Sequence, residues 1–340
     1  MKIGIIIPYF GRLPESINSF IYSASYNKEI NWLIFTDQFT NDLLQVENVK
    51  FIKSTFKEIK NRINSVVNKK VVLDAPYKLC DYRPLYGEAF ADYLYGYDYW
   101  GYGDVDVICG DLIKFILPGL KNHYDRIGNL GHFCLYRNDP EVNKRYLLSI
   151  KDDNGNDVRL FERVSNHSRG YAFDELGMQN IYRYYHFSTY TSNDLVNETK
   201  TGCLDLYSID SRFLNYKGVF IWNRGKCLYY YLNPSSGQLN FHEFGYFHFI
   251  KRHNFTKFLN NVGNISSFAV TTDGYHEIAD LSNNNIEKMM KLNHSTYEKR
   301  LIYWLNSYFF SGDITFRKIL GIHLPFFELY REIRNHTFRI

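Results

Sequence analysis

Trp100-Gly-Tyr-Gly-Asp-Val-Asp-Val107 carries an aromatic, apolar run straight into two carboxylates. The run predicts a buried strand ending at Asp104 and Asp106. Residues two apart in a strand share a face, so both carboxylates can converge on one hard divalent cation, Mn2+ or Mg2+, held through oxygen. The expected division has Asp106 binding the ion directly and Asp104 bridging ion and ribose. Such an ion suits a diphosphate leaving group, on which negative charge grows as the bond to it breaks. Just upstream, Lys78-Leu-Cys-Asp-Tyr-Arg-Pro-Leu-Tyr-Gly87 sets Lys78, Asp81 and Arg83 at the entrance of a helix opened by Pro84 and patterned by Leu85, Phe90, Tyr93, Leu94 and Tyr97. Helix N-termini favour phosphate groups.

Working outward, Ile3 to Ile7 is a β-branched run stopped by Pro8-Tyr-Phe-Gly11, and reads as a strand buried on both faces. A helix with Pro14 near its first turn and apolar positions at Ile17, Phe20 and Ile21 follows. Trp32 to Thr36, ending at Asp37, and Val49 to Lys53 read as further strands. Strands alternating with helical patterns predict an α/β fold with a parallel sheet. Ligands of such sheets bind beyond the carboxyl ends of the strands. Pro8 to Gly11, Asp37 and the acidic pair are therefore expected on one rim.

The composition bounds the function. The chain has 340 residues, 45% of them apolar, enough for a large core, and its 18% aromatic content includes 30 Tyr and 27 Phe. A net charge of +4, evenly spread, argues against a nucleic-acid partner. The odd set of Cys80, Cys109, Cys134, Cys203 and Cys227 lacks any Cys-x-x-Cys pair and reads as reduced thiols. The apolar N-terminal run is too short for a signal-peptide core, and no run reaches the length of a membrane span. A cytoplasmic location, with possible contact at the inner membrane face, is the expectation.

Further along, Asp111 reads as a helix cap and Gly128 to Asn138 as strand, with His132 a hydrogen-bonded core residue. Lys151 to Asp157 and Asn193 to Thr201 read as polar loops. Between them, Asp174 and Glu175 form an acidic pair in an apolar frame. On its own pattern Asp174 reads as a cap for a helix running through Leu176 and Met178.

Taken together, Pro8-Tyr-Phe10, Tyr77-Lys-Leu-Cys-Asp-Tyr-Arg-Pro84, Trp100 to Val107, Gly131-His-Phe-Cys-Leu-Tyr-Arg-Asn138, Phe173-Asp-Glu-Leu-Gly177 and Tyr246-Phe-His-Phe-Ile-Lys-Arg252 resemble the bacterial GT-A glycosyltransferases of capsule, exopolysaccharide and lipopolysaccharide clusters. The resemblance covers residues 1–253. It implies a nucleotide-sugar-binding half (1–112), an acceptor half (113–253), a divalent metal and a nucleoside diphosphate sugar, most often UDP-linked. By the same resemblance, His248 would complete the metal shell after Asp104 and Asp106, and Lys251 would contact the diphosphate. Pro8, Tyr9, Phe10 and Asp37 would surround base and ribose, with Asp81 and Arg83 on the donor and Lys78 nearby. Asp174, with Glu175 as second candidate, would deprotonate the acceptor, an oligosaccharide or lipid-linked glycan, in an inverting transfer. A binding protein that has lost turnover and a nucleotidyltransferase are the alternatives. The latter would carry a Gly-rich loop after the first strand, where this chain has Pro-Tyr-Phe-Gly.

Residues 254–340 depart from that pattern. From Tyr297 they are aromatic and basic, with Lys299, Arg300, Arg317, Lys318, Arg331, Arg334 and Arg339 against four acidic residues. A mainly helical extension is expected, suited to a membrane surface, a homodimer or packing onto the domain.

Overall fold

The computed structural model describes residues 1–199, 205–214, 216–249 and 255–293. In chain order its strands are β1 (Ile3–Pro8), β2 (Ile30–Thr36), β3 (Val49–Lys53), β4 (Tyr99–Gly103), β5 (Val107–Cys109), β6 (Arg126–Leu130), β7 (Phe133–Arg137), β8 (Ser149–Lys151) and β9 (Asp157–Arg159). They continue with β10 (Thr189–Tyr190), β11 (Val196–Glu198), β12 (Gly218–Asn223), β13 (Lys226–Leu232), β14 (Leu239–Phe244), β15 (Tyr246–His248), β16 (Ser267–Thr271) and β17 (Gly274–Glu277). The fold is mixed α/β.

Seven strands form the central sheet in the order β10-β6-β7-β4-β1-β2-β3, and β7 alone runs against the others. The β-branched run of β1 lies at its centre because both faces are covered. Ile3, Ile5 and Ile7 pack with Trp32 and Ile34 on one side. Ile6 packs with Leu33, Trp100 and Tyr102 on the other. The chain leaves β1 for β2 and β3 on one flank and returns to β4 on the other. The strand order therefore reverses between β1 and β4, and the crevice beyond their carboxyl ends is where open α/β sheets bind ligands.

Close packing at this centre explains a glycine. A Cβ on Gly101 of β4 would stand 2.3 Å from the Cys134 carbonyl oxygen and 2.7 Å from Leu135 Cδ2. Because one obstacle is backbone, Gly101→Ala is expected to cost roughly 3 kcal/mol through overpacking. Urea unfolding would measure it, and a loss under about 1 kcal/mol would mean that the sheet relaxes around the methyl group.

A three-stranded sheet, β11-β15-β5, and a five-stranded antiparallel sheet, β14-β13-β12-β16-β17, stand beside the central one. Trp222 joins these two, donating from its indole to the Cys109 carbonyl at 2.9 Å. The helix Asn283–Leu292 covers the other face of the five-stranded sheet with Ile286, Met289 and Met290. The sheet thus runs past residue 253, where the sequence suggested a boundary, and residues 267–277 are strand rather than part of a helical extension. Position 254 and residues 294–340, including every basic residue counted from Tyr297 onward, lie outside the described residues. Among the described residues, no helix is long and apolar enough to cross a membrane.

The helix expected after Pro84 is replaced by a 3-10 stretch, Pro76–Leu85, and a single α turn, Tyr86–Ala89. Pro84 falls inside the stretch and denies it a hydrogen-bond donor. Phe90 and Leu94 are still buried, from turns rather than a helix.

Candidate metal and donor site

Asp104 and Asp106 occupy the connection between β4 and β5 rather than a strand, with Val105 buried between them. Their convergence comes from the neighbouring sheet. Val107 pairs with His248 across β5 and β15, and Glu198 pairs with His248 across β11 and β15. Register alone sets Asp106, His248 and Glu198 side by side. One ligand atom from each of Asp104, Asp106 and His248 lies within 4.8 Å of the others, and the same holds for His132, Glu198 and His248.

The first trio could hold a cation, and its charges perturb one another. Asp106 lies at the open mouth, yet the surrounding protein and the charge of Asp104 raise its carboxyl above the ordinary range, with His248 pulling it down. Burial disfavours the charged form of His248, but its hydrogen bond to Glu198 and the charges of Asp106 and Asp104 outweigh that and raise it. His248 Nε2 stands 3.8 Å from Asp106 Oδ1, too far for a hydrogen bond. Two mutually repelling carboxylates and an imidazole nitrogen suit Mn2+ or Mg2+, with the nitrogen favouring Mn2+.

Arg83 links this trio to the acidic pair of the second half. It donates to Asp104 Oδ1 from Nη2, and from Nη1 to Asp174 Oδ2 at 2.9 Å and to the Gly131 carbonyl at 2.8 Å. Asp174 therefore stands one guanidinium width from Asp104. Glu175 accepts from the Gly131 amide at 2.6 Å. A Cβ at position 131 would stand 2.8 Å from Asp174 Oδ2 and 2.9 Å from Glu175 Oε1, so a larger residue there would have to displace these carboxylates. Burial pushes the Asp174 carboxyl up to about 7, with Arg83 lowering it and Glu175 raising it. Asp174 is not a helix cap. It lies inside a π turn, Phe173–Gly177, that follows Ala172 at φ 48°. π turns and left-handed non-glycine residues recur where a fold holds functional groups against local preference.

The remaining expected donor residues divide. Pro8, Tyr9 and Phe10 sit half-buried where β1 ends. Partial burial, with the nearby charges of Asp106 and Asp104, raises the Tyr9 phenol. Phe10 meets Phe56 edge-on at 5.8 Å. Asp37 is exposed at the end of β2, bonded to the Gln38 side chain at 2.7 Å. These positions agree with the rim inferred from the sequence.

Lys78 and Asp81 do not reach that rim. They form a pair at 2.8 Å with side chains only 4% and 3% exposed. Asp81 also accepts from the amides of Tyr171 and Phe173, and Lys78 donates to the Arg169 carbonyl. They pin the 169–173 segment that delivers Asp174, which corrects their reading as donor contacts. Lys78→Met is expected to cost about 3–5 kcal/mol, because Asp81 would stay buried without its counter-ion. Chemical denaturation checks this, and a loss below about 1 kcal/mol would show that the amides suffice. Lys251 lies outside the described residues.

His132 is a buried, hydrogen-bonded histidine, as its sequence context suggests, and it lines the cluster together with Glu198, which lies in a strand where the sequence reads as loop. His132 Nε2 and His248 Nδ1 each stand 3.1 Å from Glu198 Oε1. The missed signal was Val196-Asn-Glu198, a short alternation just before Thr199.

These features define a mixed α/β protein with a carboxylate and histidine cluster at the switch point of its main sheet. The chain belongs to the family described as "Family of unknown function (DUF6625)", whose model matches residues 5–279. A comparison with curated proteins finds no match.

Proposed function

We propose that this protein is a metal-dependent glycosyltransferase of the GT-A type. It moves a sugar from a nucleoside diphosphate sugar, in our reading a UDP-sugar, to a hydroxyl of an oligosaccharide or lipid-linked glycan in surface polysaccharide synthesis, inverting the anomeric centre. The observation that carries this reading is the meeting of Asp104, Asp106 and His248 beyond β1 and β4, one guanidinium from Asp174. The parallel order β3-β2-β1-β4 adds support, because it matches the first half of a nucleotide-binding sheet.

In this mechanism Asp104, Asp106 and His248 would hold a divalent cation, which would offset charge developing on the diphosphate leaving group. Tyr9 and Phe10 flank the base and ribose, and Asp37 accepts hydrogen bonds from them. Asp174 takes the acceptor proton at Oδ1 or Oδ2. A carboxyl near 7 is matched to that task at neutral pH. Arg83 orients Asp174 and supplies positive charge beside Asp104.

The test is a screen of UDP-, GDP-, CMP- and dTDP-sugars with Mn2+, reading melting temperature and donor hydrolysis. One donor that both stabilises the protein and releases a nucleoside diphosphate supports the proposal. Release of pyrophosphate would mean nucleotidyl transfer instead, and no response to any donor would overturn the donor site.

A further inference from the structure

His248 presents one nitrogen to the acidic pair, and something must decide which nitrogen carries the proton. We infer that Glu198, with His132 and Tyr246 behind it, is a positioning relay that fixes the tautomer of His248 and so tunes the cation site; this rests on the metal reading above. Glu198 is held by both rings. An ionised carboxylate only accepts, so both ring nitrogens facing it must donate.

The hydrogen bonds then assign themselves. His132 donates from Nε2 to Glu198 Oε1 at 3.1 Å, so its Nδ1 is left to accept from the Tyr246 hydroxyl at 2.7 Å. His248 donates from Nδ1 to the same oxygen at 3.1 Å, so in the neutral ring its Nε2 holds the lone pair, on the side of Asp106. A lone pair facing a carboxylate invites a proton or a cation between them, and a metal ion takes the place of the proton. The relay thus presents Nε2, on the side of Asp106, as the ligand atom for a cation. The fold builds it by register, since Glu198 is the cross-strand partner of His248 and Tyr246 lies two residues from His248 on the same strand. The two imidazoles lie close and tilted, centroids 4.0 Å apart at 37°, each tied to the same carboxylate oxygen. Carboxylates behind metal-bound histidines typically govern affinity by 10- to 100-fold.

The experiment measures Mn2+ affinity by electron paramagnetic resonance titration on the full chain, for wild type, Glu198→Gln, Glu198→Ala and Tyr246→Phe. Melting temperatures of the metal-free proteins are taken in parallel. Glu198→Ala is expected to weaken Mn2+ binding about 10- to 100-fold. Glu198→Gln, which keeps an acceptor oxygen but loses the charge, should fall between it and wild type, and Tyr246→Phe should lose least. Long-range proton–nitrogen NMR at alkaline pH is expected to show His248 protonated on Nδ1 in wild type and as a tautomer mixture in Glu198→Ala. A merely structural glutamate would lower the melting temperature without moving either readout, and that result would overturn the relay. Variants that bind Mn2+ as wild type does, or a His248 protonated on Nε2, would also overturn it while leaving the metal reading intact. A wild type that takes up no Mn2+ would overturn both.

Discussion

Asp106→Asn is expected to lower metal-dependent donor turnover about a thousand-fold or more, while leaving the metal-free protein as stable as wild type or slightly more so. The two effects have opposite signs because they come from the same charge. Without a cation, the surrounding protein and then the repulsion from Asp104 disfavour the charged form of Asp106 and raise its carboxyl. An asparagine removes that repulsion and keeps the shape. With a cation, the same charge is a ligand, and its loss withdraws several kcal/mol from the transition state in which the diphosphate departs. A wild type saturated with Mn2+ at about 100 times its dissociation constant gains about 2.7 kcal/mol from binding. Asp106→Asn should gain little of it. Calorimetric melts with and without Mn2+, beside steady-state donor hydrolysis, measure both effects. A variant that gains the full wild-type stabilisation from Mn2+ would remove Asp106 from the metal shell.

The parts of this fold that were legible in the sequence share one property, which is that local pattern and tertiary environment agree. Ile3 to Ile7 could only be a doubly covered strand. Asp111 accepts from the Lys114 amide at 3.1 Å, as a cap should. The acidic pair stood out because an apolar run ended on it. What escaped was set by long-range register and by burial. Glu198 is 50 residues from His248 in sequence and opposite it in the sheet, and no local periodicity reports such a pairing. Lys78 and Asp81 looked like a charged entrance because charge usually lies at the surface. Here two backbone amides, of Tyr171 and Phe173, compensate the carboxylate, and no one-dimensional pattern shows that. The strands after residue 253 were hidden for a similar reason. Ser267–Thr271 is a strand because β12 offers it an edge, and its own five residues carry little signal.

Asp174→Asn separates base catalysis from the rest of the site. Acceptor transfer is expected to fall about 10²- to 10⁴-fold, the usual contribution of a general base, while Mn2+ and donor binding hold near wild type. The pH dependence gives the prediction its sign. Burial pushes the Asp174 carboxyl up to about 7 from an ordinary 3.8, so the wild type should gain transfer rate as pH rises through about 7 and then level off. The variant should be slow and nearly flat. Stability runs the other way. The folded protein binds this proton more tightly than the unfolded chain does, so the group's stabilising contribution is full below the ordinary carboxylate range and is lost as pH rises through about 7. Asparagine mimics the protonated form and escapes that loss. Asp174→Asn should therefore become progressively more stable relative to wild type between about pH 4 and pH 7, with Arg83 still held by Asp104 and the Gly131 carbonyl. Transfer assays and urea midpoints over that range measure both trends. If the variant transfers at the wild-type rate, Asp174 is not the base and inversion loses its proton acceptor. If the rate falls but the stability difference does not move with pH, the raised carboxyl is not the one that titrates.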